Sequence, residues 1–259
     1  MPAILTSIIF LAIGMVLVGA TPVPPSPLRL ATTFSRIANE LDHIGLGDCS
    51  LVNVGLPLNN TNPQLPQPSS HLSLKYVALG RGTQNYSCPS STDSFHSRNS
   101  TVPVATGAVA TLFDASCIAS TSLTLLNELP AIIQSTPLGS LTFVAEMLSR
   151  TTDSSDPILG EHYFDASGDP FFDLRLSGSD DWIIAKKDAS VDAPKRASRS
   201  SGNGGSKDVA WLELGCKEGH GIKEVYRVMT YGGSSPTTCA GQNDAILVDY
   251  AAEYWFYGS

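Results

Sequence analysis

The segment from Ile246 to Tyr257 constrains this chain more than any other. Ile246, Val248, Tyr250, Ala252, Tyr254 and Phe256 share one face of an extended chain, and Leu247, Asp249, Ala251, Glu253, Trp255 and Tyr257 share the other. A two-residue period of this length marks a β-strand, because successive side chains of an extended backbone point to opposite sides. Such a strand needs neighbours for its backbone N–H and C=O groups, and the rest of the sequence supplies them.

Leu72, Leu74, Tyr76 and Ala78 alternate with Ser73, Lys75, Val77 and Leu79. Gly80-Arg81-Gly82 is then expected to interrupt the strand before Thr83 to Cys88. Val104 to Asp114 is rich in Ala, Val and Thr, ends in its only charge, and reads as a strand buried on both sides. Glu161 to Phe164 and Phe171 to Leu174 flank Asp165-Ala166-Ser167-Gly168-Asp169, whose residues favour a tight reversal. Further strands are expected over Trp182 to Ala185, Val209 to Leu214 and Ile222 to Thr230. Between Ser120 and Arg150 the period lengthens. Leu123, Leu126 and Leu129, then Val144, Met147 and Leu148, fit two short helices broken by Pro130 and Pro137-Leu138-Gly139. The fold class expected is a single, mainly antiparallel β domain over 45–258, a sandwich or partly open barrel with a short helical insertion.

Residues 1–20 read as a secretory leader: an apolar run from Ile4 to Val18 without Lys or Arg, and small residues at Gly19 and Ala20. Residues 21–44 form a Pro-rich stretch, TPVPPSP, followed by a short helix on which Leu30, Phe34, Ile37 and Leu41 share a face. Residues 194–207 are low-complexity and too polar to bury, so a disordered loop is expected there. The chain is accordingly placed outside the cell, and no membrane engagement is expected once the leader is cleaved. A formal net charge of −8 argues against nucleic acid as a partner, since that needs basic surface. The basic group Lys186, Lys187, Lys195, Arg196 and Arg199 is local and reads as a solvated loop.

In an oxidising compartment the 5 cysteines imply two bridges and one leftover thiol. Their spacing suits no metal, because zinc sites pair ligands about two to four residues apart. Three sequons, Asn59, Asn85 and Asn99, are candidate glycan acceptors. Occupancy of Asn85 requires that it face water while Gln84 and Tyr86 face the other way.

The chain contains no GxSxG, HExxH, GxxxxGK[ST] or GxGxxG pattern, so nucleotide cofactors are disfavoured and none is expected. Asp165, Ser167, Asp169 and Asp173 lack the glycine and glutamate of a calcium loop. His162, set among Glu161, Tyr163 and Phe164, is the histidine most suited to a site, although a buried structural role explains it better. His220 lies in a glycine turn and reads as solvated. Glu161, Glu213, Glu224 and Glu253 are the carboxylates from which a glycosidase pair would come. Trp182, Trp211, Tyr250, Tyr254, Trp255 and Tyr257 are the aromatics from which a sugar-stacking platform would come.

Six ordered motifs carry a resemblance: Val77–Cys88, Ala108–Cys117, Gly160–Phe164, Val209–Leu212, Val225–Gly233 and Ala252–Tyr257. Together they resemble the domain-of-unknown-function 3455 family, in its secreted fungal branch. The resemblance implies compartment and fold but no activity. Chains of this kind sometimes carry a malate dehydrogenase label, which the missing dinucleotide fingerprint gives reason to reject. It also implies that Cys49, Cys88, Cys117 and Cys239 are the bridged cysteines and that Cys216 is the free thiol. The pairing expected is Cys88 with Cys117 and Cys49 with Cys239.

The function expected is a secreted, non-catalytic binding or host-interaction protein, with His162, Arg227 and Trp211 as binding residues. Its expected partner is a cell-wall polysaccharide or a host surface protein. The alternative is a secreted hydrolase of polysaccharide or ester substrates.

Overall fold

In a computed structural model of the chain, residues 49–88, 101–142, 145, 157–194 and 208–259 are described. All belong to one unit, Asp42–Ser259. The leader, the Pro-rich stretch, its helix, Asn99, all but Ala145 of the Val144–Leu148 segment and nearly all of the 194–207 loop lie outside the described residues.

Eight strands form a closed barrel in chain order. They are β1 (Ser73–Ser87), β2 (Val104–Asp114), β3 (Ile158–Phe164), β4 (Pro170–Asp173), β5 (Trp182–Val191), β6 (Trp211–His220), β7 (Glu224–Gly232) and β8 (Ala245–Gly258). Every neighbouring pair is antiparallel. The long C-terminal strand closes the ring by pairing with β1 from Ser73↔Gly258 to Ser87↔Ala245. Of the two arrangements left open by the sequence the molecule takes the barrel, and takes it fully closed, which leaves no sheet edge exposed. Helices α1 (Ser116–Thr121) and α2 (Leu123–Ile133) are the helical insertion, between β2 and β3. Pro130 lies inside α2, where an interruption was expected.

A buried cluster takes residues from all eight strands, among them Ala78, Leu112, Leu159, Phe172, Ile183, Leu214, Val225, Tyr254 and Phe256. In a closed barrel only the lumen touches every strand, so this cluster is the lumen filling. Outside, Glu161, Lys186, Lys217 and Glu218 are exposed. A filled apolar lumen with charges outside reverses the pattern of a membrane-spanning barrel. Among the described residues, no helix is long and apolar enough to cross a membrane.

Part of the outer face is also covered. Arg81 points outward from β1 and ties α2 to the wall, its Nε donating to the Ile133 carbonyl at 3.0 Å and its Nη1 pairing with Asp249 at 3.1 Å. Outward-facing Glu253 and Trp255 on β8 are fully buried. The Trp255 indole donates to Glu253 at 3.0 Å. The N-terminal segment lies against β7, where the Ser69 amide and hydroxyl both donate to Glu224.

Three expectations are corrected. First, β1 runs unbroken through Gly80 and Gly82. At Gly80 the inward space is taken by the Tyr254 ring, and a Cβ would lie 2.8 Å from its Cδ2. At Gly82 a Cβ would strike the Val109 carbonyl. These glycines permit close approach within a strand rather than ending it. Gly80→Ala is therefore expected to cost about 1 to 3 kcal/mol through overpacking. Gly139→Ala, with nothing within 4 Å, is expected to stay within about 0.5 kcal/mol. Denaturant titration of both variants checks the contrast. Second, β2 is buried on one face only. Ala108, Ala110 and Leu112 enter the lumen while Val109 is 53% exposed.

Third, the bridges are Cys49–Cys117 and Cys88–Cys239, the reverse of the expected pairing, with Cys216 free. The barrel explains why. Cys88 follows the upper end of β1, where the β7–β8 connection delivers Cys239. There the Cys88 amide donates to Asp244, and the Cys239 amide donates to Thr101. Cys117 sits beside Ala115, whose amide donates to Val77 near the other end of β1. The strand between Val77 and Cys88 separates them by roughly 35 Å, far beyond the reach of a disulfide.

Candidate functional site

Cross-strand partners share a face, so register places the polar residues that point inward. His162 lies opposite Ala110 and Phe172, both lumen residues. Arg227 lies opposite Leu212 and Tyr254. Gln84 lies opposite Ala108, and Tyr250 opposite Gly82. His162, Arg227, Gln84, Tyr250 and Tyr254 thus gather in the upper half of the lumen, the half nearer the Cys88–Cys239 bridge. Just beyond Arg227 the β7–β8 register shifts between Val228 and Tyr231. Met229 takes a φ of 47°, a left-handed conformation that costs a non-glycine residue energy.

His162 is 3% exposed. Its ring stacks on Phe172 at 4.2 Å, and its Nδ1–H donates to the Phe171 carbonyl at 2.9 Å. Burial, reinforced by Arg227 against the opposing Phe171 bond, pushes its pKa down to about 4. The imidazole is therefore neutral at pH 7 and Nε2 carries the lone pair. The Tyr250 and Tyr254 hydroxyls bond each other at 2.8 Å. Burial raises both phenols above their ordinary range, with Arg227 pulling the other way. Arg227 lies beside the Tyr254 hydroxyl and Gln84 beside that of Tyr250.

The guanidinium of Arg227 is thus the charge in this half of the lumen. Its Nη2 donates to the Ala210 carbonyl at 3.0 Å. Its Nε is buried without an acceptor, and so is the Gln84 Nε2 amide nitrogen. Among the described residues no carboxylate pairs with Arg227. At the opposite end the lumen is neutralised: Asp181 accepts from the Tyr76 hydroxyl at 2.9 Å and pairs with Lys75 at 2.7 Å.

The remaining candidates stand elsewhere. Trp211 projects outward from β6 and is fully buried, so it does not join His162 and Arg227. The aromatic platform does not form. Tyr250 and Tyr254 are inside the barrel, Trp211, Trp255 and Tyr257 are buried, and Trp182 packs beside Phe171 and Arg175. Glu161 and Asp173 face each other on β3 and β4, with Asp173 held by Arg175 and its pKa lowered mainly by that hydrogen bond. Glu213 and Glu224 flank Tyr226 on the outer face, and burial first, then Glu224, raises Glu213. Ser69 occupies both oxygens of Glu224. The Asp165 turn spends its carboxylate on the Ser167 and Asp169 amides. Cys216 packs against the lumen cluster, and His220 is exposed near Asp180. Asn59 is exposed. Asn85 faces outward between Gly107 and Leu247, accepting from Thr83 at 2.8 Å.

Gln84 was not among the candidates, and Tyr250 and Tyr254 were named only for a sugar-stacking platform. Their shared face was visible in the alternation; that this face is a lumen was not.

The family model described as Protein of unknown function (DUF3455) matches residues 68–258. No curated protein and no solved structure matches the chain.

Proposed function

Because the chain belongs to the DUF3455 family, which carries no assigned activity, function has to be read from the geometry, and we propose a secreted, non-catalytic binding barrel with its site in the upper lumen. The observation that carries this reading is the composition of that site. It holds donors in excess around Arg227, two neutral phenols and a neutral imidazole, and it holds no nucleophile with an adjacent base. Eight-stranded barrels are a size that can hold one small ligand where side chains do not fill the interior, and Arg227, Gln84 and Leu212 on the lumen face are only half-buried, whereas the buried tryptophans present no flat surface to a polysaccharide. The two disulfides fit an oxidising compartment, in keeping with a leader cleaved after Ala20.

The test uses protein recovered from the culture medium, which is expected to begin at Thr21 and to shift in mass on glycosidase treatment. A chemically diverse set of small molecules is screened by thermal melting, alongside chromogenic esters and glycosides. The expected result is a raised melting temperature with at least one ligand class and hydrolysis at the blank rate. Hydrolysis above blank that Glu213→Gln abolishes would overturn the reading in favour of a hydrolase on the outer face.

A further inference from the structure

We propose that Asn85 carries an N-linked glycan whose first N-acetylglucosamine lies on the exposed apolar stretch of the outer wall formed by Leu247, Val109 and Val104. This rests on the secreted reading of the chain and adds which sequon is used and what the sugar covers. The acceptor atom comes first. Asn85 faces outward near the upper end of β1, and Ser87, the hydroxyl residue of the sequon Asn85-Tyr86-Ser87, faces the same way two residues on. The Asn85 Oδ1 accepts from the Thr83 hydroxyl. That bond holds the amide by its oxygen and leaves Nδ2, the atom to which a glycan is joined, without a partner among the described residues. Gly107, opposite on β2, sets no side chain against it. In the linking step Nδ2 forms a bond to C1 of the first sugar of a lipid-pyrophosphate-linked oligosaccharide. The C1–O bond breaks, the lipid pyrophosphate leaves with the electron pair, and Nδ2 gives up one proton.

The surroundings come second. Leu247 lies directly opposite Asn85 on β8, roughly 5 Å away between Cβ atoms. Val109 and Val104 lie on the diagonals across β2, opposite Thr83 and Ser87. Leu247 is 67% exposed and each valine 53%, whereas the large outward side chains Trp211 and Trp255 are buried. Apolar groups left bare side by side on one wall favour association with other apolar surfaces. A glycan is bulky and solubilising, and its first sugar turns C–H groups and an acetyl methyl to the wall and hydroxyls to water. Asn59, in the short 3-10 turn Leu58–Asn60, has no cross-strand neighbours of this kind.

The test uses full-length protein recovered from the medium of an N-glycosylating host and trimmed with an endoglycosidase that leaves one N-acetylglucosamine on each linked asparagine. Peptide mapping by mass is expected to find that sugar on Asn85, and the trimmed protein is expected to bind an apolar fluorescent dye no more than the untrimmed one. Asn85→Gln and Ser87→Ala remove the sequon in two ways, and each is expected to raise dye binding roughly threefold. Leu247→Ser added to either is expected to reverse the rise. Secreted protein with Asn85 bare, whatever Asn59 and Asn99 carry, would overturn the site while leaving secretion intact. Protein retained in the cell with all three asparagines bare would remove the secreted reading together with the site. Dye binding unchanged in the variants, or raised as much by trimming alone, would overturn the covering role of the first sugar. Mapping of the wild type decides the site even where a variant does not fold.

Discussion

Replacing Cys88 and Cys239 together with alanine is expected to destabilise the barrel by about 5 kcal/mol. The bridge spans 151 residues of chain, and the loop-closure entropy it removes from the unfolded state grows with the logarithm of that length. The same relation gives about 4 kcal/mol for Cys49–Cys117, which spans 68 residues. Location adds to length. Cys88 and Cys239 are buried with Ile246, Tyr86 and Val248, and they tie the β1–β2 connection to the β7–β8 connection beside the lumen site. A domain is stable by only about 5 to 15 kcal/mol, so this variant is expected to be largely unfolded at modest denaturant. Equilibrium denaturation under non-reducing conditions measures it. A loss below about 1 kcal/mol would show that the upper rim holds together without its bridge.

Acid should expose the second large effect. His162 titrates near 6.5 when unfolded and near 4 when folded. Above pH 6.5 both states are neutral and the folded state is not penalised. As pH falls from 6.5 towards 4 the unfolded chain gains a proton that the folded chain refuses, so stability is lost across that window. The full loss is about 3 kcal/mol, approached at up to about 1.4 kcal/mol per pH unit. Glu213, raised by burial, acts in the opposite direction near the lower end, which is why the difference between wild type and His162→Gln is the useful quantity. The variant is expected to be about 1 to 3 kcal/mol less stable at pH 7, through the lost stacking and buried hydrogen bond. That deficit should shrink, and can reverse, by pH 4.5. A deficit constant across the range would mean that the imidazole takes up its proton as readily in the folded state as in the unfolded one.

The strands were legible because their alternation is local. Glu161 to Phe164 and Ile246 to Tyr257 declare themselves without reference to any partner. What stayed hidden depends on closure. Gly80 and Gly82 look like breakers until the Tyr254 ring and the Val109 carbonyl are brought against them from distant strands. The cysteine pairing turned on which rim each connection reaches, and neither Cys88 nor Cys117 carries that information in its own neighbourhood. Val225-Tyr226-Arg227-Val228 is apolar on both faces but for the arginine, so the strand alone does not say whether Arg227 faces solvent or lumen; only the register with Leu212 and Tyr254 does. Trp211 erred in the other direction. A strand tryptophan read as a binding residue is consumed by the covering of the outer face.

The most direct test of a ligand site inside the barrel is nitrogen-correlated proton NMR of the side chains during titration with a compound that raises the melting temperature. If the account holds, the Arg227 Nε–H signal moves and saturates, while the indole N–H signals of Trp211 and Trp255 on the outer face stay in place. Saturable movement of those indoles with Arg227 unchanged would put the ligand on the outside of the wall and contradict it.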